Sequence, residues 1–320
     1  MNKAVIASIV AGGMWGNIVA PSVPPAMAQS LPSVQPTATT PNPIGIELLD
    51  AGAEPRRELK FTPAINSKQT MTMTMDMSME MTIGETPIPK TPLPKMVLNV
   101  DSTVKRVDPS GDIHCQFAYS DLQAIGNPDT APELLAAIQK SLKSLVGIKL
   151  DMVIGGNGQV KSKKLIIPKT VDPKLKNLLE QFDRSMSDLS TQLPTERVGL
   201  GAKWRINNSI KISGINLVQS ATSEIVEIDN MGVKIKTQMT QSAPPQDLNI
   251  PGTTPDVKSR LTSMASSGEG SYLLRFNSLL PVTGKFAAKT DSKLSVQSGS
   301  KEPPTDMSTK ISIDLDFDSK

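Results

Sequence analysis

Histidine and cysteine are almost missing from this chain: its 320 residues hold one of each, His114 and Cys115, side by side. One cysteine excludes an intrachain disulfide, and the pair together is too few for zinc sites of the usual His/Cys type. Nucleophilic catalysis fares no better, because a Cys–His pair must lie within hydrogen-bond reach. Neighbours in a strand point to opposite faces. Ile113, Cys115, Phe117 and Tyr119 share one apolar parity, which sends Cys115 inward and His114 outward. Aromatic residues make up only 3% of the chain, so Met, Leu, Ile and Val must supply the core. A formal charge of +3 argues against a nucleic-acid partner. The glycine clusters at Gly155-Gly156-Asn157-Gly158 and Gly199-Leu200-Gly201 lack the flanking residues of a phosphate loop and read as turns. Asp314 and Asp316 sit at strand spacing on a solvated face, with no glycosidase pairing to be inferred. The expectation is a non-enzyme with no catalytic residues, no resident metal and no cofactor.

Long apolar runs are also scarce. The one near the N-terminus follows Lys3, extends from Ala4 to Ala20 and leads to Ala26-Met27-Ala28. A charged start, a short apolar stretch and an A-x-A site make residues 1–28 a secretory signal peptide, expected to be cleaved after Ala28. The alternative, a retained anchor, is opposed by the glycines and by a length below the roughly 20 residues that span a bilayer. Residues 29–43 are rich in Pro, Thr and Ser and read as a flexible linker. Residues 44–320 then form a single β-rich domain, exported to the periplasm or beyond.

Methionine is what the chain has in excess. Residues 71–81 read MTMTMDMSMEM, with Met71, Met73, Met75, Met77, Met79 and Met81 alternating with polar residues. A period of two places all six thioethers on one face of a strand. Leaving them in water would forfeit on the order of 10 kcal/mol of burial, so something must cover them. Three readings follow. The stripe is the wall for an apolar, lipid-like ligand, since Met repacks around irregular shapes. It is a plain core filled by the protein's own helices. Or it binds Cu(I) through soft sulfur, although strand neighbours about 7 Å apart cannot share an ion without a bend.

Around this stripe the pattern predicts a large antiparallel sheet, curved or incompletely closed into a barrel, with helices packed on its apolar face. Short strands are expected over 44–49 and 57–61. The prolines of TPIPKTPLPK (86–95) predict a stiff loop. Strands over 96–107 and 112–122 make a hairpin, as do 148–154 and 160–167. The remaining strands are expected over 203–212, 216–228, 232–241, 272–276, 284–296 and 309–317. Helices are expected near 131–146, where Thr130-Ala131-Pro132-Glu133 fits a capping box, and over 173–192, which carries the longest apolar stripe. A third is expected near 255–265, on the spacing of Val257, Leu261 and Met264. The basic run Lys161, Lys163, Lys164 and Lys169, continued by Lys174 and Lys176, is a candidate contact for an anionic membrane or an edge-protecting charge.

This order of elements resembles the periplasmic lipoprotein-carrier architecture, in which an unclosed barrel cups helices that plug an apolar cavity. The segment LPTERVGLGAKW (193–204) is similar to the LP, V, G and W pattern at a helix-to-strand junction in uncharacterised secreted bacterial proteins with long β-meanders. The first resemblance implies an apolar cargo; neither transfers a site residue. The expected function is therefore an exported carrier or binding module for an apolar ligand in the periplasm or cell envelope, with the six methionines lining its wall. A structural or interaction protein with a filled core is the alternative.

Overall fold

A computed structural model describes residues 45–90, 93–168, 171, 192–212, 215–248, 257–298 and 303–320. The signal peptide, the linker, Lys169 and the helix expected over 173–192, save Gln192, lie outside these. Among the described residues the fold is one antiparallel sheet of fourteen strands, not closed, with a single helix. The strands are β1 (Gly45–Asp50), β2 (Lys68–Ile83), β3 (Thr86–Ile88), β4 (Lys95–Val107), β5 (Ile113–Ile125), β6 (Lys149–Ile154), β7 (Val160–Ile166), β8 (Lys203–Ile212), β9 (Ile215–Asp229), β10 (Gly232–Ala243), β11 (Gln246–Leu248), β12 (Val257–Arg275), β13 (Thr283–Ser298) and β14 (Thr305–Ser319). The helix α1 (Pro132–Lys143) follows β5. Spatial order along the sheet is β1-β8-β9-β10-β12-β13-β14-β2-β4-β5-β6-β7, with β3 on β2 and β11 on β12.

The methionine strand is the seam. Hairpins build β8 to β14 on one side and β4 to β7 on the other, and β2 joins the two halves by pairing with β4 and with the C-terminal β14. Alternation of apolar and polar residues on both β2 and β14 fixes their register, because a slip of one residue would turn every apolar side chain outward.

Bulges bend the sheet. An extra residue stands in β4 at Lys105, in β5 at Ser120, in β7 at Lys161, in β9 at Val226 and in β12 at Thr262. Each such insertion raises the local twist and kinks its strand. The bulge at Thr262 overturns the helix expected near 255–265. From residue 257 the segment is the start of a nineteen-residue strand. Val257, Ser259 and Leu261 face inward before the bulge; Met264, Ser266 and Gly268 face inward after it, opposite Ser292, Thr290 and Ala288. One inserted residue in a period of two thus leaves Val257, Leu261 and Met264 at i, i+4 and i+7, the spacing of a helical stripe.

Three smaller expectations are also corrected. Residues 57–61 are not a strand; only Arg57 forms an isolated bridge, to Val198. The proline-rich loop begins with a three-residue strand, β3, whose Pro87 sits opposite Thr82 at the margin of the sheet, where a missing N–H is tolerated. The capping box does not form: the N-cap is Ala131 without a side-chain bond, and Thr130 instead accepts the Asn127 N–H at 3.0 Å. The helix is held by its other end and its face. Ile138 and Leu142 are buried, and Gln139 donates to the Leu122 carbonyl while accepting the Ala124 N–H, docking α1 on the part of β5 that β6 leaves unpaired.

Candidate functional site

Residues directly opposite one another on neighbouring strands share a face, so the register can be read as rows crossing the sheet. The six predicted methionines each begin a row toward the C-terminal half. Met73 aligns with Phe317, Gly284, Tyr272, Ile235 and Ile225. Met75 aligns with Leu315, Phe286, Gly270, Thr237, Ser223 and Trp204, and on its other side with Met96. Met71, Met73, Met75, Met77 and Met81 are buried, and Met79 is partly so. The strand is extended and its thioethers share one sheltered face, which brings all six together on one wall. Among the described residues of β2 and β8 to β14, no charged side chain lies on these inward rows.

Two apolar clusters occupy this face. The larger contains Met71, Met73, Met75 and Met77 with Leu59, Phe61, Leu98, Leu142, Trp204 and Phe317; the smaller contains Met81, Ile83, Leu217, Leu261, Leu294 and Met307. The first lies where residues 51–67 cross the end of the sheet as a strap. That strap bonds in turn to the 197–201 segment (Ala53 N to Leu200 O, 2.8 Å), to the β6–β7 turn (Phe61 N to Gly156 O, 2.7 Å), to the end of β12 (Thr62 N to Phe276 O, 2.6 Å) and to β4 (Asn66 N to Val104 O, 2.9 Å). Arg57 clamps it to the β9–β10 turn, donating to the Asp229 carbonyl and to Asn230 Oδ1 while its guanidinium stacks 5.4 Å from the Phe276 ring centre. The LPTERVGLGAKW segment is the strap's receptor. A side chain at Gly199 would strike the Ala53 carbonyl, while Leu193, Val198, Ala202 and Trp204 are fully buried. Its residues build a junction and present no reactive group.

Between the clusters runs something the composition did not disclose, a band of hydroxyl and amide side chains on the inward face. One row reads Met79, Ile311, Thr290, Ser266, Gln241, Gln219 and Asn208; the next reads Met81, Thr309, Ser292, Met264 and Ala243. Thr290 Oγ1 donates to Ser266 Oγ at 2.9 Å and Gln241 Nε2 to Gln219 Oε1 at 3.3 Å. In the Met75 row, nearer the strap, Ser223 and Thr237 bond each other at 2.9 Å. They also bond Tyr272, whose phenol burial pushes up to about 12. Among the described residues, Ser259, Ser292 and Thr309 are buried without a hydrogen-bond partner for their hydroxyls. The sequence signal was present in principle: small polar residues at inward parity in strands that are otherwise apolar on that face.

His114 and Cys115 fall on opposite faces. Cys115 is buried, and that burial, with Asp151 adding in the same direction, pushes its thiol up to about 12, so it stays protonated and inert near neutrality. His114 is not a bare surface imidazole; its Nε2 lies 2.8 Å from Asp108 Oδ2 and 2.8 Å from Arg106 Nη2. It borders a shallow polar cleft of about 340 Å³ over β5, β6 and β7. Lys161, Lys163 and Lys164 lie on β7, the edge of the sheet, and Lys161 is paired with Asp112 at 2.6 Å. Among the described residues no group of three His, Cys, Asp or Glu could hold a metal ion. Met75 and Met96 are the only directly opposed pair of thioethers among the described residues, both within the larger cluster. Among those residues no helix is long and apolar enough to cross a membrane.

Fold and site together define an open antiparallel β-cup whose inner face carries no charge along the described rows of β2 and β8 to β14, while Lys163 stands opposite Met152 at the β7 edge. In comparisons with known proteins, no family model and no curated sequence matches this chain.

Proposed function

We propose that this chain is an exported, non-catalytic carrier or binding protein for an apolar, lipid-like ligand, held against the inner face of the cup. The observation that supports this most is the long inner wall of β2 and β8 to β14, which carries methionines and small residues and no charge. Such a wall rejects ions and accepts greasy shapes of varied outline, since thioether side chains adapt their rotamers. An unclosed sheet also leaves a side by which cargo can enter, as in the periplasmic carriers its architecture resembles. Native mass spectrometry of the full chain purified from the cell envelope tests the proposal. The expected result is protein carrying a bound apolar molecule of several hundred daltons; polypeptide mass alone across independent preparations would overturn it.

The second reading, a structural protein with a filled interior, draws support from one place. At the strap end Leu59 and Phe61 enter the same cluster as Met71 and Met73, so that part of the inner face is occupied by the chain itself. The two readings therefore differ over the other end, beyond Met77.

A further inference from the structure

Ser292 and Thr309 stand directly opposite each other on β13 and β14, 6% and 1% exposed, and among the described residues neither hydroxyl has a partner. Buried polar groups in folded proteins are almost always hydrogen-bonded, so two adjacent orphans on one face call for a partner that the described residues do not supply. Their surroundings narrow its chemistry. Met81 flanks the pair on one side and Met264 on the other, and the row beyond is Ile83, Met307, Leu294 and Leu261. The row toward the strap is the bonded polar chain of Thr290 and Ser266. With no charged side chain on these rows, a phosphate or carboxylate would be buried uncompensated, at a prohibitive cost. An uncharged oxygen acceptor fits. Side chains opposed across a strand pair stand about 5 Å apart at Cβ, close enough for both hydroxyls to donate to the two lone pairs of one carbonyl oxygen.

We propose that Ser292 and Thr309 form the recognition point for the ester carbonyl of an acyl-chain ligand, whose hydrocarbon lies along the methionine wall. This rests on the carrier reading above and adds to it the class of cargo: acyl esters in preference to ethers or plain hydrocarbons of equal length. Ser259, 5% exposed and also without a partner among the described residues, lies on the same face of β12 two positions before Leu261 and offers a further donor for a second carbonyl.

The test uses the full chain and the uncharged fluorophore N-phenyl-1-naphthylamine, displaced by monolauroylglycerol or by its ether counterpart 1-O-dodecylglycerol, which lacks the carbonyl. The native protein is expected to bind the ester about tenfold more tightly than the ether, the value of one or two hydrogen bonds made in a dry site. The double variant Ser292→Ala, Thr309→Val is expected to bind both alike, at the affinity of the native protein for the ether. Ser308→Ala, on the outer face, is expected to keep the preference. Equal affinity for ester and ether in the native protein overturns the hydroxyl site while leaving the carrier reading intact, and so does an ester preference that survives in the double variant. Failure of both compounds to displace the fluorophore overturns the carrier reading and this proposal together.

Discussion

Single residues matter here according to the face they occupy. Met75 is buried in a row with Leu315, Phe286 and Met96, so shortening it leaves a hole that flanking strands cannot close without losing their register. Met75→Ala is expected to lower unfolding free energy by about 2–5 kcal/mol, and Met75→Leu by less than about 1.5 kcal/mol, in urea titrations followed by circular dichroism. Thr74, on the opposite face of the same strand, should tolerate alanine within about 0.5 kcal/mol. A loss at Met75 no larger than at Thr74 would mean the wall is not packed. The same logic explains why His114 and Cys115, adjacent in sequence, have unrelated surroundings: one lies within hydrogen-bond distance of Asp108 and Arg106, the other among buried apolar side chains.

At the scale of elements, the strap at 51–67 is the part whose form departs furthest from its local sequence. Its Arg57 to Phe61 stretch has strand-like alternation, yet the strap's backbone bonds go to four separate places and the Arg57 side chain adds a fifth. Arg57 is the principal tie between the strap and the β9–β10 turn, through Asp229, Asn230 and the Phe276 ring. Arg57→Ala is expected to cost about 1–2 kcal/mol, the scale of charge-assisted bonds at a partly open site. It should also hasten proteolysis within residues 51–67 while leaving the long strands protected from amide exchange. Uniform loss of protection across β2, β13 and β14 would show instead that the strap and the sheet open as one unit. Elsewhere elements follow their local signals closely. The hairpins around Gly155-Gly156-Asn157-Gly158 and Asp229-Asn230-Met231-Gly232 form where turn residues interrupt alternating strands, and Gly158 takes a φ of 86° that few other residues would accept. Bulges are the exception, because one extra residue leaves no compositional mark.

For the whole molecule the decisive question is what lies against the inner face beyond the strap. A ligand that binds only the folded chain stabilises it in proportion to the logarithm of its saturation, about 2.7 kcal/mol at a hundredfold excess over Kd. For a domain of this size that corresponds to a rise in Tm of roughly 5–10 °C. Protein stripped of lipid by organic extraction and refolded is accordingly expected to melt several degrees below protein as purified from the envelope, and to recover when an acyl ester is added back. Identical melting before and after stripping would favour the filled-core alternative. The sheet itself, with β1 and β7 as its ends, is assembled by pairing between distant parts of the chain: β14 meets β2, and β1 meets β8.

How much of this was legible follows from the range of the forces involved. Alternation along residues 71–81 is a property of the pleat, set by neighbours two apart, and so the methionine wall, most hairpins and the apolar stripe of α1 could be read from the chain alone. The polar band was legible only in part. Ser292 and Thr309 keep the inward parity of their own strands, but that they stand opposite each other and beside Met264 depends on register across β12, β13 and β14, including a bulge at Thr262 that only strand pairing reveals. Likewise Gly199 requires the absence of a side chain only because the Ala53 carbonyl of the strap is brought against it from far along the chain. Local chemistry determined which residues share a face; long-range pairing decided which faces meet, since loop closure and burial are settled by the whole fold rather than by any one segment.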